Sequence, residues 1–172
     1  MNFYLKPLED KDIDIFIKLN QEAFQKGYED YFGKCNDIII PNKDILESLN
    51  TLGSHAFLAY ENEEVVGGVD VTINDVTQHN ELDLLFVKVG VQSKGIGYKI
   101  WKEIEKLFSN TLVWHTCTPY FDQRNIHFYV NKCKFHIVKF MNKYHQDPNL
   151  KDDFIGDAGE GMFEFEKLMK NN

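Results

Sequence analysis

A buried strand, a glycine-rich turn and an amphipathic helix follow one another between Glu81 and Phe108, and this succession constrains the fold more than any other part of the chain. In ELDLLFVKV the consecutive Leu84, Leu85 and Phe86 suggest that both faces are covered, so a central strand is expected. GVQSKGIG follows. Ile96, Ile100, Ile104, Leu107 and Phe108 then recur at helical spacing, with Lys99, Lys102, Glu103 and Lys106 on the other positions. The first amides of a helix have no intrahelical partner and share its positive dipole end, and glycines let a phosphate come close to the backbone. An anion site is therefore expected at residues 92–97. It is not a common nucleotide loop: there is no GxxxxGK[ST], and Ile100 stands where GxGxxG needs its third glycine.

The flanking segments supply the rest of a mixed α/β sheet. Residues 3–5 read as a short strand, and Asp10 as the cap of a helix with Ile13, Phe16, Ile17 and Phe24 on one side, ending near Gly27. An irregular stretch from Tyr28 to Lys43 precedes a second helix over Asp44–Leu52 that closes at Gly53. AFLAY, the polar turn ENEE and VVGGVDVTI predict a β-hairpin. Beyond the glycine-rich helix come a strand at Thr111–Thr116, a helix at about Asp122–Lys132, and strands at Phe135–Asn142 and Met162–Leu168. The expected order is β, α, α, three strands, α, β, α, two strands, with helices on both faces of the sheet.

With 172 residues and no shift in composition, one domain spanning 1–172 is expected. A net charge of −8 argues against a nucleic-acid surface and favours a cationic partner. Met1–Asp12 has neither a basic start nor an apolar run, and no stretch is long and apolar enough for a membrane span, so a cytoplasmic protein without membrane association is expected. Cys35, Cys117 and Cys133 form no CxxC pair, and the histidines show no HxxxH spacing, so neither a disulfide framework nor a bound metal is expected.

The run LLFVKVGVQSKGIGYKIWKEIE resembles the acetyl-CoA motif of the GNAT superfamily of N-acetyltransferases, in which [QR]xxGx[GA] follows the fourth strand. Gln92, Gly95 and Gly97 match its fixed positions, and the element order matches that family over nearly the whole chain. The resemblance implies a mixed, mostly antiparallel sheet of six to seven strands whose fourth and fifth strands splay apart to admit acetyl-CoA. It implies cosubstrate contacts at Phe86, Val87, Gln92, Ser93, Lys94, Gly95, Ile96, Gly97, Tyr98 and Asn125, with Lys94 and Lys99 nearest the adenosine phosphates. Val89 stands where many members have proline. NIHFYVNKCKF resembles the later NxxxxFYxxxGF segment, but Lys134 replaces the glycine and the Tyr129–Phe135 spacing is one residue longer than the commonest form. Either Tyr129 or Phe128 is then left to face the cosubstrate.

An amine must lose its proton before attacking a thioester, so a base is required. Glu81, eleven positions before Gln92, stands where the superfamily's histone acetyltransferases carry their catalytic glutamate. Strict alternation puts Glu81 and Asp83 on one face with Leu85 and Val87; Asp83 and His115 are the other candidate bases. Tyr129 matches the tyrosine that many members use as general acid. Acceptor recognition is expected from Tyr28, Glu29, Tyr31 and Phe32 and from a late loop carrying Asp147, Asp152, Asp153, Asp157 and Glu160. The expected function is acetyl transfer from acetyl-CoA to a primary amine on a small molecule or peptide, with a homodimer left open. The alternative is a catalytically silent acyl-CoA sensor or scaffold.

Overall fold

A computed structural model describes residues 2–146 and 161–170. Seven strands form one sheet: β1 (Phe3–Pro7), β2 (Ser54–Glu61), β3 (Glu64–Thr72), β4 (His79–Val87), β5 (Val113–Pro119), β6 (His136–Met141) and β7 (Met162–Leu168), in the order β1-β2-β3-β4-β5-β7-β6. All neighbours are antiparallel except β4 and β5, which run parallel and pair only from His79–Glu81 to Val113–His115. Beyond Glu81 the two strands part. The expected mixed sheet with a splayed fourth and fifth strand is what forms.

Helices α1 (Ile13–Phe32) and α2 (Asn42–Leu49) cover one face through Phe16, Ile17, Leu19 and Ile45, which pack with Leu58 and Phe86. On the other face α3 (Ile96–Leu107) buries Ile96, Ile100, Trp101 and Ile104 against Val69, Val71, Leu82 and Trp114. Adjacent Gly67 and Gly68 in β3 are required by this packing. A Cβ on Gly68 would lie 2.6 Å from the Phe86 ring and 2.9 Å from that of Phe16, and one on Gly67 would lie 2.4 Å from the Phe86 carbonyl oxygen. No described helix is long and apolar enough to cross a membrane.

Three local expectations change. Asp10 does not cap α1; residues Asp10–Asp12 form a 3-10 turn, and Asp12 precedes α1 without a side-chain cap bond. Gly27 does not end α1, which continues to Phe32 because the rings of Tyr28, Tyr31 and Phe32 surround Phe121 at centroid distances of 4.9 to 5.7 Å. Tertiary packing outweighs the roughly 1 kcal/mol that a helical glycine costs. The helix after β5 divides into α4 (Gln123–His127) and a π-helical turn, Phe128–Lys132, closed by the Cys133 amide donating to the Phe128 carbonyl at 2.9 Å. That turn absorbs the extra residue in the Tyr129–Phe135 spacing.

Candidate active site

The parting of β4 and β5 opens a cavity of about 890 Å³. Its walls are Ala23, Phe24 and Gly27 of α1, Leu85–Val87 of β4, Gln92, Ser93 and Gly95–Tyr98 of the glycine loop and helix start, and Asp122, Arg124, Asn125 and Phe128. Phe86 buries its side chain beneath α1, so its contribution to the cleft is its main chain, on the β4 edge that β5 no longer covers. Val87 joins it there.

At the loop, Ser93 and Gly95 adopt left-handed backbones with φ of 66° and 77°. Gly95 is the N-cap of α3 and provides no side-chain cap, and the first helical bond is Lys99 N–H to the Gly95 carbonyl at 3.1 Å. The amides of Ile96, Gly97 and Tyr98 therefore remain for a ligand. No other side chain occupies the space where a Gly95 Cβ would stand. Arg124 reaches across from α4 and donates to Ser93 Oγ at 3.2 Å. Helix dipole, free amides and a guanidinium thus converge on one end of the cavity, and such a cradle fits a pyrophosphate.

The lysines expected to neutralise phosphates are elsewhere. Lys94 is exposed and outside the cavity wall, and Lys99 is held by Glu61 at 2.6 Å above the Phe3 ring. Arg124, Lys132 and Lys134 line the cavity instead. Sequence reading passed over them, although three cations within one helix and its following turn are the signal that could have found them. Asn125 lies in the wall; its Nδ2 donates to Asp122 Oδ2 at 2.8 Å, and its amide donates to Asp122 Oδ1 at 3.0 Å. Burial still raises the Asp122 carboxyl above its ordinary range.

Lys134 has φ 67°, a left-handed conformation that costs a residue with a side chain about 1–2 kcal/mol. This explains the glycine at the corresponding point of the GNAT pattern. Lys134→Gly is expected to raise the thermal midpoint, by up to about 1 kcal/mol in stability, while weakening binding of a polyanionic ligand. Thermal unfolding and ligand titration on the same protein check both halves.

Tyr129 is not on the cleft. It is only 6% exposed and packed between Phe135 and Phe165. Burial pushes its phenol well above the ordinary range. The π turn rotates Phe128 into the cavity wall in its place. Tyr129→Phe, which keeps the packed ring, should therefore change stability by no more than about 1 kcal/mol and leave kcat close to wild type, as steady-state kinetics beside a melting curve would show.

Alternation along β4 also fails. The register shifts between Asp70 and Val71: Asp70 pairs with Leu84 and Val71 with Leu82, which leaves Asp83 as the extra residue of a bulge. Leu82, Leu85 and Val87 consequently all pack with the α3 cluster, whereas Leu84 and Phe86 pack under α1. Glu81 and Asp83 thus face away from Leu85 and Val87, toward the α1 side of the sheet. Thr72, opposite Glu81, confirms the placement by donating from Oγ1 to Asp83 Oδ2 at 2.6 Å.

Both carboxylates touch solvent but sit in a bay of surrounding protein, where desolvation raises their pKa values. Asp83 is pushed to about 7, the neighbouring charges of Asp70 and Glu81 adding to desolvation and the Thr72 bond opposing it. Desolvation also raises Glu81, opposed by His115 and assisted by the Glu164 charge. Asp83 lies two residues before the Leu85 wall, about 7 Å along the strand, and Glu81 four residues, about 13 Å. His115 pairs with Glu81 in register on the same face. Cys133 is buried, and burial pushes its thiol up to about 12, unsuited to nucleophilic chemistry. Tyr28, Glu29, Tyr31 and Phe32 belong to the last turns of α1; the three rings pack around Phe121, and Glu29 accepts from Gln25 and the Cys35 amide. The late acidic loop lies outside the described residues.

The family model described as the Acetyltransferase (GNAT) family matches residues 14–135. The chain belongs to the GNAT family. YrkN of Bacillus subtilis, an uncharacterised protein, is 41% identical, with 96% of this chain and 93% of YrkN covered. Among solved structures, the PaiA N-acetyltransferase of Thermoplasma acidophilum in complex with coenzyme A superposes with a TM-score of 0.69 at 17% identity, covering 98% of this chain and all of that one. The spermidine N-acetyltransferase of Vibrio cholerae in complex with CoA and spermine gives 0.70 at 15% identity, covering 96% and 95%. These likenesses establish the GNAT fold for this chain.

Proposed function

We propose that this GNAT protein transfers an acetyl group from acetyl-CoA directly to a primary amine on a small molecule or peptide. The observation that carries the reading is the cleft beside β4, where the free amides of residues 96–98 and the cations Arg124, Lys132 and Lys134 converge, with Asp83 two residues before its Leu85 wall on the same strand. Acetyl-CoA would supply an activated thioester. The free amides of Ile96, Gly97 and Tyr98, with Arg124, would hold its pyrophosphate, and the open β4 edge at Phe86 and Val87 would align its pantetheine arm by main-chain hydrogen bonds.

Asp83 takes the ammonium proton in this reading. A carboxyl near 7 is half ionised at neutral pH and is a stronger base than an ordinary aspartate. Glu81, farther along the same face, adds negative charge that favours a cationic acceptor. The departing thiolate belongs to a thiol with pKa around 8.5, taking free cysteine as a guide, so it can take a proton from water once Tyr129 is removed from the role. Three cysteines outside any disulfide suit a cytoplasmic location, where acetyl-CoA is also available.

Thermal unfolding with and without acetyl-CoA tests the binding half, because a ligand of the folded state must raise its stability. Amine-dependent release of the CoA thiol tests the transfer half. Stabilisation without release for any amine would favour the silent sensor.

A further inference from the structure

One group of side chains, across β5 and β7, takes no direct step in the reaction just described. His115 on β5 stands directly opposite Glu166 on β7, and Glu164 lies two residues along β7, on the same face. One donor atom from each, an imidazole nitrogen and two carboxylate oxygens, lie within 4.8 Å of one another. His115 Nδ1 and Glu166 Oε1 are already 3.5 Å apart. Two atoms that share one first-row ion at about 2.0–2.2 Å each stand about 3–3.5 Å apart. That pair therefore has ligating separation, and a Glu164 oxygen lies within 4.8 Å of both.

The surroundings agree with a cation. The three side chains are 19%, 23% and 35% exposed for His115, Glu164 and Glu166, so the group is open on one side and fixed by two paired strands on the other. Lys139 of β6 stands 3.5 Å from Glu164 Oε2, on the outer side. Among the described residues no lysine or arginine pairs with Glu166. The His79 ring lies beside His115 at a centroid distance of 5.7 Å, and Glu81 adds a further negative charge in register with His115.

We propose that His115, Glu164 and Glu166 form a binding site for a divalent transition-metal ion. An imidazole with two carboxylates suits Zn²⁺ and, more weakly, Mn²⁺, whereas Mg²⁺ and Ca²⁺ select all-oxygen sites. Two glutamates would neutralise the ion. Three protein ligands leave at least one position for water. The expectation of no metal rested on spacing along the chain, and that spacing could not show donors brought together across β5 and β7. The ion would tie β7 to the strand that forms one side of the cleft.

The test is calorimetric titration of the full-length, untagged protein, stripped with chelator and without acetyl-CoA, using Zn²⁺, Mn²⁺ and Mg²⁺ chlorides. Without acetyl-CoA the outcome is independent of the acetyltransferase reading. Zn²⁺ should bind one per chain and raise the thermal midpoint, Mn²⁺ should bind the same site more weakly, and Mg²⁺ should not bind. Glu166→Gln and His115→Gln should each weaken Zn²⁺ by more than the ~10–100-fold typical of losing an outer-shell partner, while melting near the metal-free wild type. Absence of saturable Zn²⁺ binding up to ~1 mM, some −4 kcal/mol, overturns the site. So does Zn²⁺ binding unchanged in both variants, as capture by the thiols would give.

Discussion

Asp83→Asn is expected to lower kcat/KM for amine acetylation by ~10²- to 10⁴-fold, the range lost when a general base is removed, with little change in acetyl-CoA affinity. The amide keeps the shape and can still meet Thr72, so the effect isolates basicity. In the wild type, kcat/KM should rise with pH through an acidic limb near 7, because the active form is the carboxylate. That limb should be absent from the residual activity of the variant. Glu81→Gln should cost less, since Glu81 lies farther from the cleft; a larger loss there would move the base back to Glu81.

The same substitution has a stability consequence of definite sign. The folded-state pKa of Asp83 is raised above its ordinary value, so the folded protein binds more protons than the unfolded chain between about 4 and 7. The group therefore favours folding least above pH 7, where it is ionised in a desolvated bay. Asp83→Asn should raise the thermal midpoint at pH 8, and the advantage should shrink as pH falls toward 4. Opposite effects on activity and stability would mark a site whose strain serves function.

Gly95→Val is expected to weaken acetyl-CoA by ~10²-fold or more. Gly95 sits at φ 77°, a left-handed backbone that a β-branched residue adopts only with strain. No atom lies within 4 Å of where its Cβ would stand, so the protein can fold around the new side chain, which would fill the space above the α3 amides. Losing two charge-assisted hydrogen bonds of about 1.5–3 kcal/mol each is enough for that factor. Isothermal titration with acetyl-CoA, beside a melting curve showing a folded variant, reads the outcome; unchanged affinity would remove the pyrophosphate from this loop.

What the sequence made legible follows from which constraints are local. The phosphate cradle is a strand end, a glycine turn and a helix start within one continuous segment, so its residue pattern carries its geometry. The element order followed from local periodicities of the same kind, and the splayed sheet from the resemblance to the GNAT family. The bulge at Asp83 was not legible, because it arises in the pairing of β4 with β3 and inverts the faces of Leu85 and Val87 relative to Glu81. Tyr129 was misplaced for a related reason: the π turn at Phe128–Lys132 takes up an extra residue and turns Phe128 into the cavity. Arg124, Lys132 and Lys134 went unremarked as cations, because only the fold brings them to one cleft. Gly27 read as a helix end because the aromatic packing around Phe121 that carries α1 past it is nonlocal.

The most direct test of the account is release of CoA thiol by wild-type protein saturated with acetyl-CoA, across primary amines including polyamines, amino acids, aminoglycosides and peptide N-termini. The account predicts saturable, amine-dependent release for at least one class, with an acetylated product by mass spectrometry and a large loss in Asp83→Asn. Release no faster than the amine-free background for every class, from protein that binds acetyl-CoA, would contradict it.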